Sequence, residues 1–176
     1  MSNTAHIQSS SATHSYYVLT AVFILLAAVS STQVPANLFS EYAGEWEGIF
    51  YVYSPDGTQI KSLKARHVYK IVDQYTLEGT QTITYPDGTT EKIQARDYVQ
   101  NGKIYCRVES DRSGVKVLEG RLDGSQIFWS RKDSETLETF RERIINGKIY
   151  AIDGYGIYGK DRPKVYTFFA EYKRVR

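Results

Sequence analysis

The chain has 176 residues, with 22 Lys and Arg against 20 Asp and Glu, for a net charge of +2, and it is rich in Tyr (15) and Phe (7). Basic and acidic side chains are interspersed, which excludes the concentrated basic face of a nucleic-acid binder, and a lone cysteine, Cys106, excludes an intrachain disulfide. Tyr-rich sequence favours pleated, half-buried surfaces, and after about the first 40 residues the remainder suits one β domain with its own core.

Met1 to Ser15 is polar, and Tyr16 to Val29 is an apolar run. The run is shorter than the ~20 apolar residues that cross a bilayer comfortably. It fits the apolar region of an export signal, and Ala28-Val29-Ser30 supplies small residues for cleavage, although only His6, His14 and the α-amino group stand where basic residues usually do. Residues 1–31 are therefore expected to be a signal peptide. An uncleaved membrane tether through residues 16–29 and a buried core helix are the alternatives. The expected location is exported, either periplasmic or secreted. Residues 32–43, with Pro35 and Asn37, read as a linker or short helical lead-in, and residues 44–176 as the folded domain.

Hairpin follows hairpin from there. Asn101-Gly102 and Asn146-Gly147 are two-residue turn signals, each followed by Lys-Ile-Tyr. Pro55-Asp56-Gly57 and Pro86-Asp87-Gly88 form a second repeated pair. Their flanks share a later Ala-Arg, at Ala65-Arg66 and Ala95-Arg96, which reflects either a duplicated hairpin or similar turns selecting similar residues. About ten strands result, over 45–54, 60–72, 74–85, 90–100, 103–110, 115–122, 125–131, 135–145, 148–158 and 164–174. No long amphipathic helix separates them. The fold class is all-β, a single antiparallel meander of about 8–10 strands that closes into a barrel to protect its edges.

The opening stretch Gly44-Glu45-Trp46-Glu47-Gly48-Ile49-Phe50-Tyr51-Val52-Tyr53-Ser54-Pro55-Asp56-Gly57 resembles the first strand of lipocalins and their calycin relatives, which begins Gly-x-Trp. The resemblance implies that Trp46 closes the barrel floor and that a basic residue near the end of the last strand, here Arg174, packs across its ring. The longer string is similar to that of lipocalin-like proteins of cyanobacteria and plastids, related in fold to phycobiliprotein lyases. Haem-binding barrels of the nitrobindin type share Gly-x-Trp-x-Gly. They bind iron through a late histidine, and this chain has no histidine after His67, so haem is not carried over.

Alternation along each strand identifies the inward face. Leu63, Ala65, His67, Tyr69 and Ile71 are in phase, as are Ile93, Ala95, Asp97 and Val99, which places His67 and Asp97 inside. The same reading sends Tyr75, Gln81 and Tyr85 inward from the third strand, Cys106 from the fifth, and Asp153 with Tyr155 from the ninth. The eighth strand is ambiguous, because Leu137, Thr139, Arg141 and Arg143 oppose Phe140 and Ile144. A buried carboxylate needs a partner, and Arg141 or Arg143 could provide it.

Asp97, His67 and Asp153 are thus the candidate acid and base groups, with Tyr69, Tyr75, Gln81, Tyr85, Tyr155 and Arg141 lining a ligand site. A structural polar network is the alternative role for all of them. Cys106 reads as a small core residue. No metal-ligand spacing, glycine-rich phosphate loop or Gly-x-Ser-x-Gly occurs, so neither metal nor cofactor is expected. The function expected is binding of a small, largely apolar organic molecule by a monomer or homodimer. A barrel enzyme, a cyclase or isomerase, and a chromophore-handling chaperone like the lyases are the rivals.

Overall fold

The computed structural model describes residues 34–175. The apolar run at 16–29 and the cleavage signature at 28–30 lie outside them. A short 3-10 helix, Ser40–Tyr42, leads into ten strands: β1 Gly44–Tyr53, β2 Gln59–Asp73, β3 Thr76–Thr84, β4 Thr90–Gln100, β5 Lys103–Ser110, β6 Gly114–Asp123, β7 Gln126–Lys132, β8 Thr136–Ile145, β9 Ile149–Tyr158 and β10 Lys164–Arg174. Each pairs antiparallel with its neighbour, and β1 pairs with β10, so the sheet closes on itself and has no free edge. Every segment expected from the turn chemistry is a strand, with ends displaced by at most two residues.

The turns alternate between the two ends of the barrel, and the two repeated turn motifs segregate. Asn101-Gly102 and Asn146-Gly147 both lie at the end where β1 begins. All four residues have positive φ, 53°, 73°, 52° and 64°, as a hairpin turn that continues the strand twist requires. The two Pro-Asp-Gly turns lie at the opposite end. In each the aspartate folds back on its own loop: Asp56 Oδ1 accepts from Thr58 N at 3.0 Å and Asp87 Oδ1 from Thr89 N at 2.9 Å. Turn geometry therefore accounts for the repeated residues without a duplicated hairpin.

The first end is plugged. Trp46 is fully buried and its Nε1 donates to Tyr42 O at 2.8 Å. The Arg174 guanidinium lies 4.1 Å from the Trp46 ring centre and donates to Gly147 O, Ala43 O and Glu41 O at 2.8, 2.8 and 2.7 Å. Trp46 and Arg174 are also directly opposed where β1 meets β10. Phe39 and Tyr42 from the lead-in are core residues, packed with Trp46 and Tyr150. The described part of the expected linker is thus the stopper of the barrel. Gly48 completes the Gly-x-Trp-x-Gly pattern for a packing reason, since a Cβ there would overlap the Glu171 carbonyl oxygen.

Candidate functional site

Above the plug the interior opens into a cavity of about 320 Å³. Strand alternation supplies its wall: Phe50, Leu63, Ile83, Ile93, Leu118, Phe140, Ile152 and Phe168 all point inward from different strands. Polar groups gather at two levels. His67, Gln81, Cys106, Glu142 and Tyr172 form the floor, while Ser113, Lys116, Glu138 and Tyr158 stand at the mouth.

The floor is a buried network. Gln81 Nε2 donates to Tyr69 Oη at 2.7 Å, and Tyr69 Oη lies 3.1 Å from His67 Nδ1. The Tyr69 proton is then left to point at the imidazole, which suits a neutral ring accepting at Nδ1. Burial lowers the His67 pKa to about 3, so the ring is uncharged at neutral pH. Tyr150 and Tyr172 enclose it, with centroids 5.6 and 4.4 Å away.

Two carboxyl groups face this network. Asp97 is buried on β4 with the Cys106 thiol beside it, and its Oδ1 has no hydrogen-bond partner. Glu142 reaches in from β8. Burial raises both, and the Asp97 charge raises Glu142 further, with only partial relief from Trp129 and Tyr150 beside it. Two acids that interact in a dry interior do not both ionise. The pair therefore shares a retained proton, and Glu142, which lines the cavity, is placed to donate it from the floor. Burial also lifts the Cys106 thiol, with Asp97 reinforcing the effect, which leaves it a neutral lining group.

At the mouth the carboxylates are already engaged. Glu138 accepts from Tyr158 Oη at 2.8 Å and Arg131 Nε at 3.0 Å. Glu91 accepts from Tyr85 Oη and Ser110 Oγ, each at 2.6 Å. Its burial is outweighed by those bonds, which hold its pKa below the ordinary value. Among the described residues no group of three or more His, Cys, Asp or Glu is placed to hold a metal ion.

Of the residues expected inside, His67, Tyr69, Gln81, Asp97 and Cys106 converge on the floor. Asp153, Tyr155 and Arg141 do not: they lie on the outer face. Arg141 Nη2 bonds both Asp153 oxygens at 2.9 Å, Arg143 bonds the same carboxylate, and Tyr155 is 39% exposed. These two arginines outweigh partial burial and hold Asp153 below its ordinary pKa. The inward phase of β9 belongs to Tyr150, Ile152, Gly154, Gly156 and Tyr158. A Cβ on Gly154 would overlap Phe140, so close packing erased the apolar signal on that face.

Tyr75 sits in the β2–β3 connection at the plugged end, where its carbonyl accepts from Val99 N at 3.0 Å. Tyr85 belongs to the rim, held by Glu91 and by the Arg112 guanidinium 4.5 Å from its ring centre. Both lie off the cavity lining. The residues missed were Glu142, Lys116, Glu138 and Tyr158. Glu142 is in phase with Phe140 and Ile144, and Lys116 with Leu118, so the signal was present in both strands.

The model of a family described as "Domain of unknown function (DUF3598), N-terminal" matches residues 32–140, more than half of the chain, and the chain belongs to that family. Its fold, a lipocalin-like calycin barrel, is shared with the S-type phycobiliprotein lyase CPES from Guillardia theta (TM-score 0.61, 6% identity, covering 78% of this chain and 90% of that one). It is shared also with Rv2717c from M. tuberculosis (TM-score 0.55, 16% identity, covering 78% and 95%). No curated protein matches the sequence.

Proposed function

We propose that this member of the DUF3598 family binds one small, largely apolar organic molecule inside the barrel. The observation that carries the reading is the cavity itself, about 320 Å³ within a closed sheet, at the lower end of the sizes that hold small ligands. Its wall is aliphatic and aromatic. The floor offers hydrogen bonds: a donor on protonated Glu142, a donor on the second ring nitrogen of neutral His67, whose Nδ1 faces Tyr69, and the Gln81 amide. Such a floor suits a ligand with a carbonyl, hydroxyl or ring nitrogen at its buried end. The fold shared with a phycobiliprotein lyase supports a chromophore as one ligand class.

Titration with a neutral dye that brightens in apolar surroundings tests the reading. Saturable binding of one dye per chain is expected, and Val108→Trp, which fills the cavity from its wall, should weaken it by about tenfold or more while leaving the circular dichroism of the barrel intact. Non-saturable binding, or binding indifferent to Val108→Trp, would overturn it.

The Asp97–Glu142 pair favours a second reading, an isomerase or cyclase on the same apolar substrate. Two interacting carboxyls with separated proton affinities are a ready acid and base. Turnover lost in Glu142→Gln with dye binding retained would support it. The apolar run at 16–29 supports placing the barrel outside the cytoplasm, which fractionation of cells expressing the full chain checks.

A further inference from the structure

On the reading of the cavity as a ligand site, we propose that the ligand is an amphipathic acid, its apolar body between the walls and its carboxylate held at the mouth by Lys116. Lys116 projects inward from β6, opposite Val108 and in phase with buried Leu118. It is half-buried, and among the described residues its ammonium group makes no hydrogen bond or ion pair within reach.

The other charges of the lining are accounted for. His67 is a neutral ring and Glu142 a neutral acid. Glu138 is held between Arg131 and Tyr158. Glu91, the carboxylate that feels the field of Lys116, has both oxygens engaged by Tyr85 and Ser110. Among the described residues Lys116 is thus the one lysine or arginine in the cavity lining, and no ion pair ties it down. Arg112 lies on the same hairpin, over the Tyr85 ring, so two cations stand at this side of the mouth beside the Glu91 carboxylate.

The position of the charge selects the ligand's orientation. An anion at the floor would be desolvated against two acidic groups, which is costly. At the mouth the same anion keeps water on one side and Lys116 on the other, so the ion pair forms at little desolvation cost. The apolar body then enters first and the carboxylate closes the opening.

Displacement of the bound dye from the full chain by decanoate, decanol and methyl decanoate at neutral pH tests this. In the native protein decanoate should compete about tenfold better than either neutral analogue, and high salt should erode the advantage. Lys116→Met should weaken decanoate alone and bring the three within about twofold, while Lys116→Arg should keep the preference. Equal competition in the native protein, or a preference that survives Lys116→Met, would overturn the inference and leave the apolar cavity standing. Failure of the dye itself to bind would remove the cavity reading and the inference together.

Discussion

The two ends of the barrel treat a cation in opposite ways. At the plugged end Arg174 lies on the Trp46 ring and gives hydrogen bonds to three backbone carbonyls, so its donors are spent on closing the structure. At the mouth Lys116 lines the cavity, and among the described residues no ion pair engages it. A charge satisfied within the fold holds the fold together, and a charge left unsatisfied at an opening is free for something that arrives. The carboxyls divide likewise. Asp153 on the outer wall is neutralised by two arginines, whereas Glu142 on the floor escapes its charge by keeping a proton.

The sharpest way to break this contrast is at the plug. Trp46→Ala should cost about 3–5 kcal/mol in denaturant unfolding, from lost burial and the cavity left behind. Arg174→Met should cost less, about 1–3 kcal/mol, from the loss of charge-assisted hydrogen bonds. A cost under about 1 kcal/mol for Trp46→Ala would mean that the plug does not hold the barrel closed.

The next effect is smaller and depends on pH. Glu142 has a higher pKa folded than its ordinary 4.5, so its contribution to stability is fully present below that value and is lost as pH rises through the folded pKa. His67 works in the opposite sense, since its folded pKa lies below 6.5, and the stability it lends falls away on acidification. Between pH 6.5 and about 8, below the range in which the buried Cys106 and tyrosines begin to titrate in the unfolded chain, only the carboxyl effect remains. Native stability should therefore decline with rising pH there, and Glu142→Gln should flatten the decline. Parallel curves for the two proteins would show that Glu142 is ionised in the fold.

The smallest effect belongs to the outer wall. Asp153 and its arginines are about one-third exposed, and pairs of this kind contribute up to about 1 kcal/mol. Asp153→Asn should shift stability by no more than that and leave dye affinity unchanged. A marked loss of affinity would bring Asp153 back into the site.

The fold was legible because turn chemistry punctuates the sequence at nearly every strand end. Asn101-Gly102, Asn146-Gly147 and the two Pro-Asp-Gly turns each impose a backbone geometry that few other residues tolerate. The site was legible only where the inward face announces itself. Leu63 and Ala65 lead to His67, and Ile93 and Ala95 lead to Asp97. On β9 the inward glycines 154 and 156 carry no apolar signal, so the alternation along the strand assigns Asp153 and Tyr155 to a face they do not occupy. On β8 the inward set is Thr136, Glu138, Phe140, Glu142 and Ile144, and its two acids blur the signal that Phe140 and Ile144 carry. What keeps Glu142 protonated, burial and the like charge of Asp97, 45 residues away on β4, is a consequence of closure and is invisible along the chain.

Methyl-resolved NMR during titration with a neutral apolar dye tests most directly whether the interior is the binding site. The account predicts that methyl signals of Ile83, Val108, Leu118 and Ile152 inside the barrel shift together and saturate at one dye per chain, while those of Val68 and Val165 on the outer wall stay in place. Shifts confined to the outer wall, or interior methyls that never move, would contradict it.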